Sequence, residues 1–178
     1  MENVLYFTDD DRIAYPKCTA YMKSVLNPIA LKRNKPTVYN AFVRACGVEK
    51  GAIDALNWGS SPKVSVAKGM FAVGGKNMCG MNPPNYFNQN GGTVIISSVR
   101  VIPLERCVAA TDILNNQRAF ESTLLHEIVH NVREKNGLID PNYDFPNTPE
   151  SGAQFEIWAY GKLQCTDANI DDALLSYM

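Results

Sequence analysis

Residues 124–132 read LLHEIVHNV and hold the only two histidines of the chain, His126 and His130, with Glu127 directly after the first. On a helix, four residues make about one turn, so both imidazoles leave the same face. Two nitrogen donors stacked this way can share one metal ion. A carboxylate beside the first can hold the ion's water without ligating, which is the mechanical content of the H-E-x-x-H pattern. The same letters also occur on ordinary surface helices. Here Leu124, Leu125, Ile128, Val129 and Val132 fill the remaining positions. They give the helix the apolar remainder that a buried active-site helix needs.

A catalytic zinc takes three protein ligands and a water. No histidine is left, so the third ligand is Glu, Asp or Cys. The longer H-E-x-x-H-x-x-G-x-x-H pattern is excluded, because Arg133 and Asn136 stand at its glycine and last histidine. Glu156, in QFEIWAYG, is the leading candidate. It lies among Phe155, Ile157, Trp158 and Ala159, where an unpaired carboxylate is costly to bury and a metal would pair it. A solvated glutamate on the outer helix face is the plainer alternative. Asp140, in GLIDPNYD, is the second; it also reads as a turn aspartate before Pro141. Cys107, in ERCVAA, is the third, and Glu150 is a residual candidate.

Three sets of elements must position these groups. The first third reads as helical: residues 18–33 around Pro28, then PTVYNAFVRACG ending at Gly47, then a short helix over 48–56. KVSVAKGMFAV (63–73) and GTVIISSVRVI (92–102) are rich in β-branched residues and predict strands. The Gly-, Asn- and Pro-dense stretch between them, 74–92, reads as a long loop of the kind that often serves as a lid or specificity element. A helix over about 115–134 carries the histidines. A second, over about 149–164, opens on Thr148-Pro149-Glu150, a cap, a first-turn proline and an early acid. The tail ANIDDALLSYM could add a last short helix. No repeat and no linker divides the chain, which predicts one α+β domain over 1–178, helical over about 1–60 and catalytic over about 61–178.

Composition narrows the classes of function. With 178 residues, 46% hydrophobic, 20% charged and a formal charge of −1, the chain can bury a sizeable core. No basic excess points to nucleic acid and no charge run to a membrane surface. No apolar stretch approaches the ~20 residues that span a bilayer. MENVLYFTDDDRIAY lacks the pattern of a secretory signal. This leaves a protein that stays inside, one exported without a cleaved signal, or an excised domain. Five cysteines (Cys18, Cys46, Cys79, Cys107, Cys165) form no C-x-x-C pair, which argues against a thiolate zinc knuckle. Buried free thiols are expected, with one or two disulfides possible in an oxidising compartment.

With HEIVH and the downstream E-x-x-A of Glu156-Ile157-Trp158-Ala159, the chain resembles the gluzincin metallopeptidases. FEIWAYG looks like the second helix of toxin-type members, and the compact size resembles effector metallopeptidases at the C-termini of type VI secretion spike proteins. The resemblance covers roughly residues 92–163. It implies a zincin-like domain with an active-site helix, a second ligand-bearing helix and a small sheet whose edge strand, GTVIISSVRVI, lies along the substrate. It implies zinc held by His126, His130 and Glu156, Glu127 as catalytic base, and a protein or peptide substrate. An immunity protein or secretion machinery would be further partners. Thermolysin-like members have an acid where Tyr160 stands here, so support for a zinc histidine would come from Asp140, Asp144 or a backbone carbonyl. The oxyanion needs a donor besides zinc; Tyr143 is the first choice and Tyr160 the second. Asp140 would match the aspartate-ligand metallopeptidases, although Leu138 replaces their threonine. Cys107 would match a deformylase-like amidohydrolase, although the glycine of that motif is missing. A binding domain without catalysis is the alternative outside enzymes.

Overall fold

A computed structural model describes residues 6–57, 62–68, 71–73, 76–82, 92–138 and 149–164. The N-terminal helices are set by their caps. Thr8 caps α1 (Asp9–Ala14) by accepting the Asp11 N–H. Helices α2 (Pro16–Val25), α3 (Pro28–Asn34) and α4 (Pro36–Cys46) each begin with a proline, which has no N–H to leave unpaired in a first turn. The stretch 18–33, read as helical around Pro28, lies in two helices parted where Asn27 caps α3 by accepting the Ala30 N–H. Gly47, at φ 73°, ends α4 in the left-handed conformation. A short α5 (Glu49–Leu56) follows.

The sheet differs from the expected pair of long strands. Strands β1 (Tyr6–Phe7), β2 (Lys63–Ala67), β5 (Gly80–Met81) and β6 (Thr93–Ser97) form one sheet in the order β1-β2-β6-β5. The first three run parallel and β5 runs antiparallel to β6. The expected 63–73 strand is split, and β3 (Phe71–Val73) pairs with β4 (Lys76–Met78) as a separate antiparallel pair. The predicted 74–92 loop thus contains β4 and β5, and its residues 83–91 lie outside the described ones.

The predicted strand over 92–102 also ends early. Ser97 accepts the Val99 N–H and starts α6 (Ser98–Arg106). Val101 and Leu104, three residues apart, are both buried on that helix, so the β-branched run changes period from two to three at the serine. β6 lies between β2 and β5. Among the described strands the edges of this sheet are β1 and β5, so β6, the strand within GTVIISSVRVI, is internal rather than the expected edge.

The longest element is α7 (Ala110–Lys135), 26 residues and about 39 Å at 1.5 Å per residue. It starts earlier than the sequence predicts. Phe120, Leu124, Leu125, Ile128 and Val129 are fully buried along it. The final helix, α8 (Ser151–Tyr160), packs against both α4 and α7. Phe155 of α8 meets Phe42 of α4 edge to face, with ring centroids 6.1 Å apart. The predicted helix in the tail lies outside the described residues.

One polar group is buried deep in this packing. Glu121 of α7 is 1% exposed. It accepts from Tyr21 (2.6 Å), Lys35 (2.7 Å) and Tyr160 (3.0 Å). Three donors offset the cost of removing the carboxylate from water. They also tie α2, α4's entry and α8 to the same turn of α7. This architecture is the expected single α+β domain.

Truncating Phe42 to alanine removes the ring that seats α8. The expected cost is about 3–5 kcal/mol, read as a lowered urea midpoint with an unchanged slope.

Candidate metal centre

His126 and His130 stand one turn apart on α7, with ring centroids separated by 5.1 Å. Both Nε2 atoms face a single carboxylate, that of Glu150. Its Oε1 is 3.1 Å from His126 Nε2 and its Oε2 is 2.9 Å from His130 Nε2. Glu150 comes from the start of α8, where the same carboxylate accepts the N–H groups of Gly152 and Ala153 at 2.6 Å each. The three side chains bring one ligand atom each within 4.8 Å of one another. Two imidazoles and one carboxylate are a donor set that suits zinc in peptidases. The residues present therefore fit a metal ion.

The close approach of α8 has a steric condition. A Cβ on Gly152 would lie 2.4 Å from His126 Cδ2 and 2.5 Å from Nε2. Only glycine lets the first turn of α8 bring Glu150 up to the histidines.

Glu156, the expected third ligand, lies on the opposite side of the ring. Its Oε1 is 2.8 Å from His126 Nδ1, and its Oε2 accepts the Gln164 N–H. It is 2% exposed, so the structure buries it as its apolar neighbours suggested. Its partner is the rear nitrogen of an imidazole. A carboxylate there fixes ring orientation and leaves Nε2 free to ligate. Glu150, which the sequence offered only as a residual ligand candidate and as the early acid of this helix, is the carboxylate that meets both Nε2 atoms. The signal that could have raised it was its place two residues before Gly152 at the head of α8.

Glu127 leaves α7 on the side of the sheet edge and is buried. A Cβ on Gly80 would lie 2.8 Å from its Cγ and 2.9 Å from its Oε1, so the backbone of β5 runs directly against this carboxylate. Two further contacts fix that register. Asn131 donates to Asn82 at 3.1 Å, and Asn82 donates to Glu134 at 3.0 Å.

Other expected residues sit elsewhere. The Tyr160 hydroxyl donates to Glu121 and belongs to the buried network rather than facing the histidine pair. Cys107 is a free thiol at the end of α6, donating to the Leu104 carbonyl, and is not part of the donor cluster. Tyr143, Asp140 and Asp144 lie outside the described residues. Cys18 and Cys46 are free and buried, while Cys79 is disulfide-bonded.

The electrostatics are those of a packed acid–imidazole cluster. Burial works against a charge on His126, but its hydrogen bonds to the Glu150 and Glu156 carboxylates outweigh that and hold its pKa well above 6.5. Burial works against the Glu150 anion, yet the two histidines hold its pKa far below the usual carboxylate range. Glu127 goes the other way. Burial raises its pKa, the two histidines pull it down, and Glu150 and Glu156 push it up. The net direction is upward, which makes this carboxylate a stronger proton acceptor than an exposed glutamate.

Residues 11–161 match the family described as metallopeptidase toxin 3. No curated protein and no solved structure matches the chain. Among the described residues, no helix is long and apolar enough to cross a membrane.

Two outcomes follow from this geometry. Gly152→Ala should push His126 and α8 apart and weaken metal binding, measured by competition with a chromophoric chelator, while far-ultraviolet circular dichroism stays unchanged. In the metal-free protein, the raised His126 contributes stability fully below pH 6.5 and loses it as pH rises through its folded value. Glu150 contributes above pH 4.5 and loses its share as pH falls through its depressed value. Because ligands bind a metal only when deprotonated, uptake should release protons, and apparent affinity should rise with pH. Calorimetry in buffers of differing ionisation enthalpy measures both.

Proposed function

Because the chain belongs to the metallopeptidase toxin 3 family, we propose that it cleaves peptide bonds using one zinc ion held by His126, His130 and Glu150, with Glu127 as general base. Metal-dependent peptide hydrolysis and a toxin role come with the family; the zinc, its ligands and the residue roles are our reading. The observation that carries it is the convergence of both imidazole Nε2 atoms on one carboxylate.

When bound, the ion supplies an acidified water and a polarised carbonyl. The chain supplies the rest. Glu156 holds the His126 ring by Nδ1 and so aims Nε2. Glu127 accepts a proton from water and returns it to the leaving amine, a task helped by its raised pKa. Glu150 is held by two backbone N–H groups of α8, which leaves its carboxylate little freedom to turn.

β5 borders Glu127 through Gly80, and its only partner among the described strands is β6. An extended peptide added along β5 would pass the proposed base, by the strand-addition mode that sheet edges offer. This gives β5 the role first expected of GTVIISSVRVI. Tyr143, in the segment joining α7 and α8, is the proposed oxyanion donor. Tyr160 is not, because its hydroxyl is engaged by Glu121. A peptidase toxin threatens the cell that makes it, so an immunity protein and delivery by a secretion apparatus, such as a type VI spike, complete the proposal.

Metal analysis beside kinetics tests the assignment. Glu127→Gln should keep stoichiometric zinc and lose about 10²–10⁴-fold in kcat. Glu150→Ala should lose zinc, and Glu156→Ala should weaken it about 10–100-fold. Full zinc in a folded Glu150→Ala protein would overturn the ligand set.

A further inference from the structure

Behind His126 a chain of contacts leads to a disulfide. Arg100 of α6 is buried. Its Nε donates to Cys79 Sγ at 3.1 Å, and its Nη2 donates to the Gln164 carbonyl at 2.8 Å. The Gln164 N–H donates to Glu156, and Glu156 meets His126 Nδ1. Cys79 is disulfide-bonded, whereas Cys18, Cys46 and Cys107 are free. The fifth cysteine, Cys165, follows Gln164 directly in the sequence.

Cys79 also reaches the other half of the centre. Its carbonyl accepts the Ser97 N–H at 2.8 Å, and its neighbour Gly80 touches Glu127. One cystine sulfur thus borders both the strand beside Glu127 and the support of His126. The guanidinium joins the two, giving one donor to the sulfur and one to the backbone that holds Glu156.

We infer that Arg100 is a positioning residue for the metal centre, acting through Gln164 and Glu156 on His126, and that the disulfide at Cys79 keeps it in place. The inference rests on His126 being a ligand, as proposed above. A dithiol reductant would open the bond. It gives two electrons and two protons, the S–S bond becomes two thiols, and the dithiol closes to its own disulfide. Arg100 then loses its fixed sulfur acceptor, its hold on the Gln164 carbonyl loosens, Glu156 loses its backbone donor, and the His126 ring loses its fixed orientation. Because disulfides persist in oxidising compartments and are rare in reducing ones, the centre is tight after export and loose in a reducing cytoplasm.

The test compares oxidised protein with protein reduced by a dithiol and then desalted under argon. Zinc affinity is read by chelator competition. The Nδ1–H signal of His126 is read by nitrogen-15 NMR of the zinc-loaded form, which has only two imidazoles to assign. Reduction should weaken zinc about 10–100-fold and shift the His126 signal while leaving that of His130 in place. Cys79→Ser should reproduce this without reductant. Arg100→Met should match it, and Arg100→Lys should recover part of the affinity. Urea midpoints identify a variant that has unfolded, in which case the wild-type comparison decides alone. Equal affinity and an unchanged His126 signal after reduction would sink the inference and leave the zinc reading intact. Failure of the oxidised protein to bind zinc would sink both.

Discussion

The carboxylate of Glu150 is the interaction on which the centre depends. It closes the first turn of α8 by accepting two backbone N–H groups and meets both imidazoles of α7. A helix N-terminus favours an anion, and both imidazole Nε2 atoms converge on the same one. The packing of Phe155 on Phe42 then seats α8, and Gly152 removes the one side chain that would hold it off. Chemistry and tertiary packing are therefore joined in one residue.

α7 distributes the remaining duties around its circumference. One face, with Phe120, Leu124, Leu125 and Ile128, enters the core. A second presents His126 and His130 to α8. A third, with Glu127, Asn131 and Glu134, meets β5 and its end. Glu121 anchors the helix more deeply, through three donors from separate elements. A helix tied on so many sides cannot rotate, and this fixes the direction of both imidazoles without help from loops.

Local patterns in the chain were legible. The α+β class and the helices over 36–47 and 48–56 follow from periodicity and caps. The histidine pair and the burial of Glu156 follow from the same reasoning. The losses came where tertiary structure decides. A β-branched run reads as strand until a serine caps a helix within it, as Ser97 does. Two-residue strands such as β5 have too little pattern to be read, and strand order is not written locally. Glu150 and Glu156 both suit a ligand by residue type. Which one meets Nε2 and which meets Nδ1 depends on how far α8 slides along α7, a distance set by Gly152 rather than by either glutamate. Tyr160 had the right chemistry for an oxyanion, but Glu121 lay outside the motif that suggested it.

The hold of Glu150 and Glu156 on His126 has a consequence for how the protein matures. Both ring nitrogens face carboxylates, and that hold raises the ring's affinity for a proton. Proton and metal ion therefore compete for the same Nε2, because a ligand must give up its proton to bind. The acids that aim the ring also set the terms of entry: the pH at which the protein meets its metal decides which guest takes the seat.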